Sequence, residues 1–242
     1  MQQAKTALVT GGSRGIGAAI VERLARDGAA VAFTYSSSPA AAQDLVAKVE
    51  AGGSRALAIR ADSADEAQLR AAVNQAAQTF GSLDIVVNSA GVLQMGAIDS
   101  FPIGQFDHSF AVNVRGAFIA IQEAQRHMKS GGRIVTIGSM VAERAGHPRS
   151  SVYAMTKGAI ASMVRGIAID LAPRGITVNN VQPGPTQTDM VPGEYVDMLI
   201  QKLPVGRLGR PEEIAGLVAY LVSPEAGYVT GASFTIDGGL IA

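Results

Sequence analysis

The stretch TGGSRGIG, residues 10–17, lies between the apolar run TALVT (6–10) and the helical pattern IGAAIVERLARDGA (16–29). Gly11, Gly15 and Gly17 let the backbone bend tightly and approach a phosphate, whose charge the N-terminus of the following helix attracts. The spacing is not G-x-G-x-x-G, so the turn by itself is either such a cradle or a purely structural turn. What surrounds it decides the fold.

The same alternation recurs outward along the chain. After TALVT come AVAFTY (30–35), RALAIRAD (55–62), LDIVVNSAG (83–91), RIVTIGS (133–139), ITVNNVQPG (176–184) and SFTID (233–237), which implies seven strands. Most are continuously apolar, as strands of a parallel sheet covered on both faces are. Between them AAAQDLVAKVEAGG (40–53) and EAQLRAAVNQAAQTFG (66–81) carry helical periodicity and stop at glycines. The expectation is a single α/β domain over residues 1–242, a doubly wound (Rossmann) sheet with helices on both faces and ligands at the carboxyl ends of the strands.

Composition narrows the function. Of 242 residues, 48% are hydrophobic and 17% charged, which excludes a disordered chain. Twenty basic residues balance twenty acidic ones without a Lys/Arg run, so the charge favours small ligands over nucleic acid or an anionic membrane. Cysteine is absent, and His108, His127 and His147 lack metal-ligand spacing, so no metal is expected. No apolar run has membrane-spanning length, and MQQAKTALVTGG (1–12) enters the first strand too soon for a cleavable leader, which points to the cytoplasm.

YAMTK (153–157) sets a lysine four residues after a tyrosine in a helical stretch, where positions i and i+4 share a face. At ~4 Å and an effective dielectric near 20, the Lys157 charge favours the Tyr153 phenolate by roughly 4 kcal/mol, close to three pKa units. The phenol is therefore expected to titrate near neutrality, as a general acid or base does.

Together these residues resemble the short-chain dehydrogenase/reductase family. TGGSRGIG is similar to its TGxxxGxG fingerprint, NSAG (88–91) to its NNAG, and YAMTK to its YxxxK; Asn113, Ser139, Pro183-Gly184 and Thr188 fall in the family's order. The resemblance spans essentially the whole chain. It implies NADPH-dependent reduction of a ketone or aldehyde, with Tyr153 giving a proton to the carbonyl oxygen and Ser139 hydrogen-bonded to it. Lys157 would hold the nicotinamide ribose, and Asn113 would hold a water between Lys157 and solvent. It further implies a cofactor site formed by Gly11, Ser13, Arg14, Gly15, Ile16, Gly17, Asp62, Asn88, Ala90, Gly91, Tyr153, Lys157, Pro183, Gly184, Thr186 and Thr188, and a homotetramer built on long helices and the final strand. Ser89 departs from the second Asn of NNAG, and Gln182 stands before Pro183-Gly184 where many relatives carry a smaller residue.

The cofactor's identity is read from the second strand. AVAFTY runs into SSSPAAAQ with no acidic residue before Asp44, so nothing there repels a ribose 2′-phosphate, and Ser36, Ser37 and Arg14 are placed to receive one. NADP is expected. Met190, Val191, Tyr195, Met198 and Leu199 suggest an apolar lid after the sixth strand. Two alternatives stand beside a reductase of small carbonyl compounds. One is a 3-oxoacyl-carrier-protein reductase docking its carrier on Arg126, Lys129 and Arg174. The other is a regulator, since FTYSSS and NNVQPGPTQTD also resemble a biofilm-dispersal member of the family that binds a cyclic dinucleotide.

Overall fold

The computed structural model describes residues 5–242; Met1–Ala4, on which part of the leader reading rests, lie outside the described residues. Strands β1 (Thr6–Thr10), β2 (Ala30–Tyr35), β3 (Ala56–Arg60), β4 (Ile85–Asn88), β5 (Arg133–Ile137), β6 (Thr177–Pro183) and β7 (Ser233–Ile236) form one sheet in the order β3-β2-β1-β4-β5-β6-β7. Every pairing is parallel. The strand order reverses between β1 and β4, the switch point beside which doubly wound sheets bind their ligands.

The continuous apolar runs are explained by two-sided burial. Ala7 and Val9 of β1 pack on one face and Leu8 on the other; Val31 and Phe33 oppose Ala32, and Ile85 and Val87 oppose Val86. Helices α1 (Gly15–Arg26), α2 (Pro39–Ala51) and α8 (Pro211–Leu221) cover the first face, and α3 (Glu66–Phe80), α5 (Ala117–Ala124) and α6 (Ser151–Leu171) the second. Two shorter helices, α4 (Ile103–Phe110) and α7 (Val196–Lys202), lie in the connections after β4 and β6. Helix α3 starts on the Asp65 side chain, which accepts from Gln68 N, and stops at Gly81, whose φ of 86° is left-handed.

Strand β6 departs from the apolar pattern. TVNNVQP is buried along its whole length, yet Asn179, Asn180 and Gln182 are each 0% exposed. Burying an amide costs free energy unless it is bonded. Asn179 Nδ2 donates to Val229 O at 2.8 Å, and its Oδ1 accepts from Ala232 N at 3.2 Å. Asn180 Oδ1 accepts from Thr136 Oγ1 at 2.9 Å, and its Nδ2 donates to Ser233 Oγ at 3.1 Å. These amides cross-link β6 to β5, to β7 and to the segment leading into β7.

The helical stretch around Asn113 is also not one regular helix. Between α4 and α5 lies a π-helical turn, Ala111–Gly116, that contains Asn113. The widened turn carries the asparagine side chain to the backbone of Val92, beyond the end of β4.

Candidate active site

Two glycines of the TGGSRGIG turn have left-handed backbone, Gly11 at φ 64° and Gly15 at φ 55°. A Cβ on Gly17 would stand 2.2 Å from Gly11 O, and one on Gly11 would stand 2.7 Å from the Ala90 Cα, so neither position accepts a side chain. The turn is held by Gly11 N donating to Thr34 Oγ1 at 3.0 Å and Gly12 N donating to Thr34 O at 2.9 Å. Helix α1 begins at Gly15 with no side-chain cap on its N-terminus, which leaves its first N–H groups to a ligand. A tight glycine cradle under an uncapped helix end fits a phosphate group. Ser13, Ile16, Ala90 and Gly91 border it, partly exposed.

The second half of the site is built on β5 and α6. Ser139 follows β5 in extended conformation and caps a short turn, its Oγ accepting from Val141 N at 3.4 Å. Tyr153 and Lys157 lie in the first two turns of α6. Lys157 is 6% exposed, and its Nζ donates to Ile137 O at 2.9 Å. The same Nζ is 5.7 Å from the Tyr153 ring centroid. A Cβ on Gly91 would stand 3.5 Å from Asn113 Oδ1 and 3.6 Å from Lys157 Nζ, so these groups meet beside the glycine. Asn113 Oδ1 accepts from Val92 N at 2.8 Å, and its Nδ2 donates to Val92 O at 2.9 Å and Thr156 Oγ1 at 3.1 Å. Both amide hydrogens are thus engaged, and Oδ1 keeps one lone pair.

The connection after β6 closes over the cradle. Thr186 Oγ1 donates to Gly184 O at 2.9 Å, and a Cβ on Gly15 would meet Thr188 Cγ2 at 3.3 Å. Gly184 is packed against β7, where a Cβ would stand 2.7 Å from the Asp237 Cα; Pro183 before it is buried. Gln187 N donates to Gly209 O at 2.8 Å and Gly209 N to Pro185 O at 3.0 Å, so residues 188–208 leave and return through one pinned base. On this excursion Met190, Tyr195 and Met198 are exposed, while Val191 and Leu199 are half-buried.

Arg14, Ser36, Ser37 and Asp62 are all exposed at the carboxyl edge of the sheet. Arg14 Nη1 stands 4.0 Å from Asp189 Oδ2, a loose pair open to solvent on both sides. Asp62 Oδ1 accepts from Ala64 N at 2.9 Å and shapes the turn after β3. Two further groups named from the sequence stand apart from this exposed edge. The Asn88 side chain is buried, with neither amide atom bonded among the described residues, in a narrow space it shares with Thr10, Ser63 and Val112. The basic trio lies before β5 and β6, at the amino edge of the sheet. Arg126 pairs there with Glu123 at 3.6 Å, and Arg174 bonds Gln125 and the Met128 carbonyl.

Two contributors escape sequence reading: Thr34 and Thr156. Thr34 is a lone hydroxyl in an apolar strand and Thr156 lies inside YAMTK; Thr156 Oγ1 also donates to Tyr153 O at 2.8 Å. Their positions offer a signal only once the turn and the helix are known to be functional.

Comparison with known proteins settles the family. A family model described as Enoyl-(Acyl carrier protein) reductase matches residues 11–241. A short-chain dehydrogenase/reductase from Serratia marcescens superposes with a TM-score of 0.97 at 55% identity, over 99% of each chain. The chain belongs to the short-chain dehydrogenase/reductase family. A short-chain dehydrogenase from Burkholderia cenocepacia, solved in complex with NADP, is 49% identical with a TM-score of 0.97 over 99% of each chain. The cyclic-di-GMP-binding biofilm dispersal mediator protein of Escherichia coli is 46% identical over 97% of this chain and 96% of its own.

The electrostatics of the cluster correct one expectation for this reductase-family site. Desolvation pushes the Tyr153 phenol up to about 12, and the nearby Ser139 hydroxyl offsets only part of that. Lys157 is pushed down to about 8 by burial. The i, i+4 spacing does bring the pair together, but the ammonium is turned toward Ile137 O and both groups are desolvated, which disfavours both charged forms. The phenol therefore keeps its proton throughout the neutral range.

These shifts predict a pH signature of stability. Lys157 loses its proton near pH 8 when folded and near its ordinary value of 10.5 when unfolded. Between those values the unfolded chain binds more protons, so stability rises with pH. Tyr153 contributes the opposite slope, between its ordinary 10 and about 12. Lys157→Met removes the first contribution alone. Urea unfolding between pH 8 and 10 should show the wild type gaining about 2–3 kcal/mol relative to the variant; parallel curves would refute it.

Proposed function

We propose that this protein is an NADPH-dependent oxidoreductase that reduces a ketone or aldehyde carbonyl to an alcohol in the cytoplasm. The observation that carries the reading is the meeting of Ser139, Tyr153 and Lys157 at the carboxyl ends of the strands, facing an uncapped glycine cradle. The nicotinamide cofactor, when bound, supplies the hydride. Ser139 offers its hydroxyl to the carbonyl oxygen and orients it, and Tyr153 holds the proton that the oxygen takes as its charge develops. A phenol that stays protonated at neutral pH suits that acid role. Lys157, buried beside the ring, would bind the ribose and stabilise the phenolate left behind. Asn113 would hold a water on its remaining lone pair, and residues 188–208 would cover an apolar substrate.

The similarity to a cyclic-di-GMP-binding protein supports a second reading, in which the fold binds a nucleotide without turnover. A pure binder has no use for the serine, tyrosine and lysine together, which favours the enzyme. For a carrier-protein substrate, Arg126 and Arg174 are already engaged within the chain and lie at the amino edge, away from Ser139. A homotetramer is the proposed assembly: Ile169 on α6 is 75% exposed, Tyr228 is fully exposed, and β7 offers an unpaired edge.

Replacing Tyr153 by Phe should abolish NADPH consumption with activated ketones while leaving NADPH binding nearly intact; near-normal turnover would remove the tyrosine from its role. Arg14→Ala should cost about tenfold or more in NADPH affinity and leave NADH affinity unchanged, since its loose contact with Asp189 is no rival to a phosphate. Equal efficiency of the wild type with NADH and NADPH would overturn the reading of the second strand. Light scattering should give four times the chain mass; a monomer at every concentration would exclude the tetramer.

A further inference from the structure

Gln182 is the one buried polar residue at the carboxyl end of β6 that the reading above leaves without a task. It is 0% exposed, and its Nε2 donates to the backbone carbonyl of Ser139 at 3.2 Å. Its Oε1 is buried and unbonded among the described residues. An amide placed so deep with its oxygen unbonded costs free energy, and an apolar side chain would avoid that cost. The bond it does make falls on the residue that carries the hydroxyl expected to hold the substrate.

The surrounding bonds show what this contact controls. Gly138 N donates to Val181 O at 2.7 Å, and a Cβ on Gly138 would stand 2.6 Å from Asn180 Oδ1, so the exit from β5 rests on the β6 amides. Lys157 Nζ holds Ile137 O, and Gln182 Nε2 holds Ser139 O two residues on. Beyond Gln182, its register partner Thr235 donates from Oγ1 to Glu143 Oε1 at 3.3 Å. The segment from Ile137 to Glu143 is thus fixed at its start by α6, at Ser139 by β6, and at its far end by β7. The Ser139 hydroxyl lies beside the Tyr153 phenol and accepts only a long contact within its own turn, 3.4 Å from Val141 N. Where it stands relative to the phenol is therefore set by the backbone that Gln182 holds.

We propose that Gln182 is a positioning residue for Ser139: its amide fixes the serine carbonyl and thereby aims the hydroxyl at the substrate's carbonyl oxygen. This rests on the carbonyl-reducing reading of the site. A small misalignment of such a group slows the reaction step while leaving cofactor binding alone.

The test uses NADPH-dependent reduction of an activated aryl ketone by the full-length protein. Gln182→Met keeps the length and removes the donor; it should lower kcat about tenfold, with NADPH affinity by fluorescence titration within about twofold of wild type. In a Ser139→Ala background the same change should cause no further loss, because there is no hydroxyl left to aim. Gln182→Glu should recover activity relative to wild type as pH falls, since a buried carboxyl has a raised pKa and only its protonated form donates to the Ser139 carbonyl. Wild-type kcat in Gln182→Met, or an equal loss with and without the serine hydroxyl, would overturn the inference. Should Gln182→Met fail to fold, a flat pH ratio for Gln182→Glu would overturn it as well. Undiminished turnover by Ser139→Ala would instead overturn the reading of Ser139 on which the inference rests.

Discussion

A buried ammonium must be bonded, and the bond Lys157 makes organises the site around it. Its donation to Ile137 O ties helix α6 to the last residue of β5, at the point where the strand gives way to Ser139. Because Tyr153 is one turn earlier on α6, the same tie sets the distance between the phenol and the serine. On the other side the ammonium lies beside Gly91, which brings in Asn113. A shorter or apolar residue at 157 would leave helix, strand end and β4 connection without their common partner.

The glycine cradle is placed by a comparable constraint, steric rather than polar. Gly11 presses on Ala90 and Gly17 presses on Gly11, so the turns leaving β1 and β4 are packed backbone to backbone. That contact is possible only at the switch point, where the two connections depart to opposite faces of the sheet. It fixes the cradle relative to Gly91, and through Gly91 relative to Lys157. The glycine cradle and the Ser139, Tyr153 and Lys157 cluster are therefore parts of one packed unit, linked by three glycines and a lysine.

The parts legible in the sequence are those governed by local pattern. Strands buried on both faces read as apolar runs, and β1 and β2 begin and end where TALVT and AVAFTY do. The glycine turn, Ser139 at a strand end and the Tyr-Lys spacing are short-range features, and Asn113 stands out because asparagine suits a regular helix poorly. What depends on depth was not legible. Spacing shows that Lys157 can approach Tyr153, but the direction of the phenol's pKa follows from desolvation, which only the packed structure reveals. The amides of β6 look like defects in an apolar strand until their partners Val229, Thr136, Ser233 and Ser139 are seen across more than 40 residues of sequence. Arg126 and Arg174 read as free surface cations because Glu123, Gln125 and the Met128 carbonyl are partners that only folding supplies.

Depth also bears on the acid role proposed for Tyr153. At the same spacing but without that desolvation, a closely held ammonium would favour the phenolate, and a pre-formed phenolate has no proton to give. With the phenol near 12 and the ammonium near 8, the cluster rests with its proton on the tyrosine. On the proposed reading, charge on Tyr153 would become favourable only when an acceptor oxygen gains basicity beside Ser139, and Lys157 would then be close enough to stabilise the phenolate. That stabilisation would be withheld from the resting state and delivered as the proton moves, the differential binding that lowers a barrier rather than tightening a complex.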